Sequence, residues 1–174
     1  MNQAYLRART IRMAIFDVDG VMTDGKLYYG DDGQEYKAFH SLDGHGLKML
    51  AQTGVQLAII TGRTSQVVVH RARNLGIHLV HQGAHDKLSA YRELLGETGL
   101  TAEQTAYMGD DVVDLPVMLR CGLALTVPAA PGEVRQHAHL VTGREGGAGA
   151  VREVCEFIMK AQGTWAAMLA GYTQ

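Results

Sequence analysis

Asp17 and Asp19 flank Val18 at the end of the apolar run RMAIF, and Asp110, Asp111 and Asp114 crowd in shortly after TAYM. These are half of the chain's ten aspartates, and none follows position 114. Carboxylates held a few ångströms apart push each other's pKa upward until some protonate, unless a cation sits among them. A hard divalent cation removes the conflict, and an all-oxygen set of Asp side chains, a backbone carbonyl and waters suits Mg²⁺. Helix capping and loop solvation explain one aspartate at each place, but not Asp17-x-Asp19 together with Asp110-Asp111-x-x-Asp114. Thr61, followed by Gly62, ends LAIIT, where its hydroxyl and the next N–H groups can donate to an anion. A Thr-Gly pair is also an ordinary turn. Lys87 falls in the first turn of a predicted helix 86–95, where the helix dipole disfavours a cation, so an anion it must meet accounts for it better.

These residues need a scaffold that brings distant segments together. Short apolar runs at 12–16, 55–60, 77–81, 105–108, 123–127 and 139–142 alternate with amphipathic segments, which predicts an α/β fold: a Rossmann-like parallel sheet with helices on both faces. In such a sheet the carboxyl ends of the strands form the ligand crevice, so the two aspartate groups converge there. The spacing of Val68, Ala72 and Leu75 predicts a helix over 65–75, capped by Thr64 or Ser65 and stopped by Gly76. Leu88, Tyr91 and Leu95 mark helix 86–95, and Val151, Val154, Cys155, Ile158 and Met159 mark helix 148–161.

The segment GKLYYGDDGQEYKAFH (25–40) breaks the alternation and reads as a β-hairpin with an Asp-Gly turn. It leaves 43–53 as the only helix before the second strand. An isolated two-stranded ribbon is marginal in water, so Leu27, Tyr28, Tyr29, Tyr36 and Phe39 should pack on the core or on another subunit. About forty residues between Asp19 and Thr61 hold the hairpin, one helix and one strand, which leaves no room for an independent cap domain. The glycine-rich GREGGAGA (143–150) lacks a GxGxxG or P-loop pattern and reads as a flexible loop before the last helix. The tail GTWAAMLAGYTQ (163–174) is apolar enough to dock somewhere.

With 174 residues, 47% hydrophobic, the whole chain 1–174 fits one domain. A net charge of −2 without long charged runs argues against nucleic acid or a polybasic membrane anchor as partner. The apolar run after Arg7, Arg9 and Arg12 is cut short by Asp17, too soon for a signal peptide or membrane span, so a cytoplasmic protein is expected. Cys121 and Cys155 lack metal-ligand spacing and are expected to be reduced and buried. The eight histidines read as isolated, with His81 and His85 near Lys87 in sequence as possible site neighbours.

The order Asp17-x-Asp19, Thr61, Lys87 and Gly109-Asp110-Asp111-x-x-Asp114 resembles the four motifs of the haloacid dehalogenase superfamily of phosphohydrolases. TDGKLYYGDDGQEYKAF, DGHGLKML, AIITGR, GDDVVDLPVM and GGAGAVREVCEFIMKAQG further resemble its capless 3-deoxy-D-manno-octulosonate 8-phosphate phosphatase family, from about Ile15 to Gly163. The resemblance implies that Asp17 is the nucleophile, that Asp19 is the acid and base, and that Thr61, Gly62 and Lys87 bind the phosphoryl group. It implies Mg²⁺ on the Asp17 carboxylate, the Asp19 carbonyl and Asp110, with Asp114 orienting a metal-bound water and Asp111 either a ligand through water or an outer partner. It also implies a sugar-acid phosphate of lipopolysaccharide precursor biosynthesis as substrate, and a homotetramer with hairpins at its centre and tails reaching a neighbour's site. Arg63 would then bind the sugar acid's carboxylate; on spacing alone it reads almost equally as a helix-flanking surface arginine. A signalling receiver domain is the rival of another class. It would place its phosphorylated Asp on the middle strand, whereas the second and third strands here end in Thr61 and in His81-Gln82.

Overall fold

The computed structural model describes residues 3–173. The elements are, in chain order, α1 (Gln3–Ala8), β1 (Met13–Phe16), a wide turn (Val18–Met22), β2 (Tyr28–Tyr29), β3 (Glu35–Tyr36), α2 (Ser41–Gln52), β4 (Gln56–Ile60), α3 (Gln66–Leu75), β5 (Leu79–His81), α4 (Lys87–Thr98), β6 (Thr105–Met108), α5 (Leu115–Met118), β7 (Leu123–Thr126), α6 (Gly132–His137), β8 (Leu140–Val141), α7 (Ala150–Ala161) and α8 (Trp165–Ala170). Six strands form one sheet in the order β5-β4-β1-β6-β7-β8, every pair parallel. All residues of β1, β6 and β7 are buried, as expected of strands covered on both faces. One group of helices joins α2 to α7, with α1 on α7 and α3 on α2; a second joins α4, α5 and α6. The core between these layers includes Phe16, Leu50, Ile60, Tyr91, Tyr107 and Ile158, none more than 2% exposed.

From β1 the chain moves outward through β4 to β5, then returns to the other side of β1 for β6 and continues to β7 and β8. The order therefore reverses between β1 and β6, where an open α/β sheet leaves a crevice at the strands' carboxyl ends. Asp17 follows β1 there, and Asp110 follows β6.

The six expected strands are present, five of them with slightly shorter bounds, and the hairpin is built as expected: Tyr28 pairs with Tyr36 and Tyr29 with Glu35 around a turn in which Gly33 takes φ +79°. Its outer residues stay open, with Leu27, Tyr28, Tyr29 and Tyr36 between 43% and 58% exposed. Only Phe39 packs against the core.

Three expectations need correction. α1 also precedes the second strand, so α2 is not the only helix there. Six residues carry too little periodicity to signal a helix, and α1 is held through its buried Ala4 and Ala8. α4 continues to Thr98, three residues beyond the last apolar residue used to delimit it, because the left-handed Gly99 and not the apolar pattern ends it. The loop 143–150 is tied down: Gly147 N–H donates to the Val21 carbonyl at 3.1 Å, and the Gly143 and Arg144 N–H groups donate to Glu153. A Cβ on Gly146 would overlap the Gly20 carbonyl, so the glycine pair exists for close packing on the turn after β1.

The tail lies on its own chain. The Trp165 ring sits 5.9 Å from the Arg152 guanidinium and 5.2 Å from the Lys160 ammonium, and Tyr172 meets His45 edge-on at 5.5 Å. Gln174, the end of the expected tail, lies outside the described residues. Cys121 and Cys155 are free and buried.

Candidate active site

The cleft at the switch point has a volume of about 290 Å³ and is lined by Asp17, Asp19, Gly25, Thr61, Gly62, Arg63, Lys87, Asp110, Asp111 and Val113. A larger hollow of about 760 Å³ lies around Tyr5, Arg12, Val55 and Gly163 and contains no carboxylate among its lining residues. Asp17, Asp19, Asp110 and Asp111, singled out by the sequence, therefore line the smaller cleft.

Asp17 is 7% exposed; one carboxylate oxygen accepts from the Val18 N–H at 2.6 Å and the other from the Lys87 ammonium at 2.5 Å. Burial and the neighbouring Asp114 charge outweigh Lys87 and push the Asp17 carboxyl up to about 6. Burial, with the charges of Asp17 and Asp114 behind it, pushes Asp110 up to about 7. Lys87, at the first position of α4, is 4% exposed and bridges Asp17 and Asp114; their charges outweigh its burial and hold its pKa above the usual lysine range. Thr61 is 2% exposed, and among the described residues its hydroxyl has no hydrogen-bond partner. It is free to donate into the cleft.

The turn after β1 depends on Gly20. Its φ is +83°, and a Cβ there would collide with the Asp110 carboxylate, so glycine alone lets the two strand-end loops approach so closely.

Asp114 lies behind the cleft and does not line it. It is fully buried, and its carboxylate accepts from Lys87 at 2.6 Å, from the Tyr107 hydroxyl at 2.6 Å, and from the N–H groups of Asp110 at 3.0 Å and Asp111 at 3.1 Å. With both oxygens engaged, it anchors Lys87 and the Asp110 loop. Asp111 caps a short 3₁₀ turn, accepting from Val112 N–H at 2.7 Å, and faces the cleft. Neither His81 nor His85 lines the cleft, and His139 accepts from the Ala124 N–H at 2.9 Å, a structural role.

Arg63 reaches the cleft rim but already has partners, donating to the Tyr29 hydroxyl at 2.6 Å and to Glu35 at 2.9 Å. Lys37, from the segment following β3, pairs with Asp19 and lies 3.3 Å from Glu35. Sequence reasoning missed Lys37, Glu35 and Tyr107. The available signal for the first two was period-2 spacing, which sends Glu35 and Lys37 to the same side of the hairpin arm.

Three carboxylates, Asp17, Asp110 and Asp114, bring oxygens within 4.8 Å of one another. Against them stands one ammonium, Lys87, so three negative charges less one positive leave a charge of −2 when all are ionised. Oxygen donors from Asp17 and Asp110, with the Asp114 charge behind them and that residual charge overall, fit a hard divalent cation.

Residues 67–154 match the haloacid dehalogenase-like hydrolase family. Over 156 residues, 90% of this chain and 83% of the relative, the sequence is 49% identical to 3-deoxy-D-manno-octulosonate 8-phosphate phosphatase KdsC of Yersinia pestis. The chain belongs to this phosphatase family. Its fold is shared with the family's solved members. The Moraxella catarrhalis phosphatase, solved with magnesium ion, phosphate ion and KDO, is 43% identical with a TM-score of 0.97 over 99% of each chain. The cobalt-bound phosphatase of Haemophilus influenzae is 40% identical with a TM-score of 0.92, covering 97% of this chain and 99% of that one.

Proposed function

We propose that this chain is a single-domain, Mg²⁺-dependent phosphatase that hydrolyses 3-deoxy-D-manno-octulosonate 8-phosphate to the free sugar acid and phosphate. The observation that carries the reading is the buried Asp17–Lys87–Asp114 row beside Asp110 and Thr61, in a chain 43% identical to a phosphatase solved with all three of its ligands.

In this reading the Asp17 carboxylate attacks phosphorus while the bond from phosphorus to the sugar oxygen breaks, leaving an aspartyl phosphate. Asp19 delivers a proton to the departing oxygen, then takes one from the water that attacks the same phosphorus and frees phosphate and Asp17. Thr61 and the Gly62 N–H donate to the phosphoryl oxygens, and Lys87 offsets their charge while keeping Asp17 ionised. Arg63 releases Glu35 to take the sugar-acid carboxylate, an exchange of one carboxylate for another on the same fork. The Asp17 carboxylate, the Asp19 carbonyl and Asp110 would hold Mg²⁺, with Asp111 and Asp114 outside them. When bound, the ion neutralises charge between the nucleophile and the phosphoryl group.

The exposed Leu27, Tyr28, Tyr29 and Tyr36 support assembly through hairpin 25–40, and a homotetramer is the proposed state. Among the described residues no helix is long and apolar enough to cross a membrane, which is compatible with the proposed cytoplasmic site of action.

The reading is tested by phosphate release from sugar-acid phosphates, simple sugar phosphates and phosphopeptides. Strong preference for the eight-carbon sugar acid is expected, and a flat profile refutes the substrate. Chelation should abolish turnover and Mg²⁺ restore it; activity surviving thorough chelation contradicts the metal site. Metal-stripped protein should also show a pH-dependent melt. Asp17 and Asp110 titrate at about 6 and about 7 when folded, against 3.8 for the unfolded reference, so the folded state binds more protons across that window. Stability should therefore fall as pH rises from about 4 to 7 and then level off. Mg²⁺ should flatten the fall, and a thermal melt series that is already flat without metal would contradict this.

A further inference from the structure

Asp19 sits in the turn after β1, yet its carboxylate is held by residues from elsewhere. One oxygen is held by Lys37, and the other lies 3.8 Å from the Arg63 Nε. The Lys37 side chain is 1% exposed, whereas the hairpin's other lysine, Lys26, is 72% exposed. An ammonium is taken out of water only where partners compensate it, and the compensation here comes from Asp19 and from Glu35 at 3.3 Å. Glu35 in turn accepts from Arg63 at 2.9 Å, closing a ring of alternating charge around Asp19. Nothing in the hairpin's own pairing, Tyr28 with Tyr36 and Tyr29 with Glu35, requires a buried charge at position 37.

We propose that Lys37 is a positioning residue for the reaction: carried by the hairpin, it fixes one oxygen of Asp19 and so aims the other at the leaving oxygen of the substrate. This rests on the reading of Asp19 as the group that protonates that oxygen. Lys37 itself does not line the cleft and is assigned no contact with substrate.

The test compares kcat/KM, which covers only the steps through transfer of the phosphoryl group to Asp17, for two leaving groups. The sugar-acid phosphate departs as an alkoxide and needs a proton; 4-nitrophenyl phosphate departs as a stable phenolate and does not. Lys37→Met is expected to lower kcat/KM about 100-fold on the sugar-acid phosphate but less than about 5-fold on the aryl ester. Lys37→Arg, which keeps the charge but moves the donor, should fall between Lys37→Met and the parent chain in that ratio. A purely structural role would reduce both substrates alike, so equal losses, or no loss, overturn the proposal. Should Lys37→Met fail to fold, the ratio is read from Lys37→Arg, and an unchanged ratio there overturns it equally. Asp19→Asn is measured alongside. If it is selective for the alkyl ester while the Lys37 variants are not, only the positioning role falls; if it is not selective, the acid role of Asp19 falls first and the positioning role with it.

Discussion

Asp17→Asn is expected to reduce phosphate release by at least about four orders of magnitude while leaving the fold intact. The amide is nearly isosteric and can still accept from the Val18 N–H, but it is no longer an anionic nucleophile. It removes one of the mutually repelling carboxylates but turns its NH2 toward Lys87, which keeps Asp114 as a partner, so the variant should still fold cooperatively in the absence of metal. Steady-state phosphate release and a thermal melt check both halves. Turnover within tenfold of the parent would sink the nucleophile assignment, and a collapsed melt would show that Asp17 is needed for the fold itself.

Lys87→Met carries the second large effect, on stability as much as on rate. The ammonium is the compensating charge between Asp17 and Asp114, and Asp114 is fully buried. Removing one partner of a buried pair leaves the other charge stranded, which costs on the order of 3 to 5 kcal/mol. The sign with pH follows from which state holds more protons. Without the lysine, the folded pKa of Asp17 rises further above the unfolded value, so the deficit is full near neutrality and shrinks below about pH 4, where unfolded carboxylates protonate as well. Denaturant titrations at pH 7 and pH 4 should show that convergence; a deficit of equal size at both would mean that lost packing, not charge, is responsible. Turnover should fall by about 100-fold or more through the lost phosphoryl donor.

The strands and the long helices could be read from sequence because their signals are local. MAIF, TAYM and LALT are short apolar runs, and Leu75 followed by Gly76 ends a helix wherever it sits. The short helices α5, α6 and α8 escaped notice because four to six residues offer about one turn and their order comes from packing. GREGGAGA looked like a loose linker because composition reports only that glycine is present. It does not report that Gly146 must clear the Gly20 carbonyl. Asp114 shows the same limit. Its type and spacing marked it as part of an acidic site, but only the paths of β6 and α4 bring Tyr107 and Lys87 onto the same carboxylate.

The amino-acid sequence by itself determined which groups are proposed to react and the strand ends that carry them. In a parallel α/β sheet every strand delivers its next residue to the same edge, so Asp17, Thr61 and Asp110 had to meet there. The tertiary structure decided how each group is held. Asp17 and Lys87 are 70 residues apart and Asp19 and Lys37 are 18 apart, and whether such pairs touch depends on the routes of intervening loops, which no local period encodes. That is why the acidic cluster was visible in the chain, while the hairpin's hold on Asp19 became visible only in the folded protein.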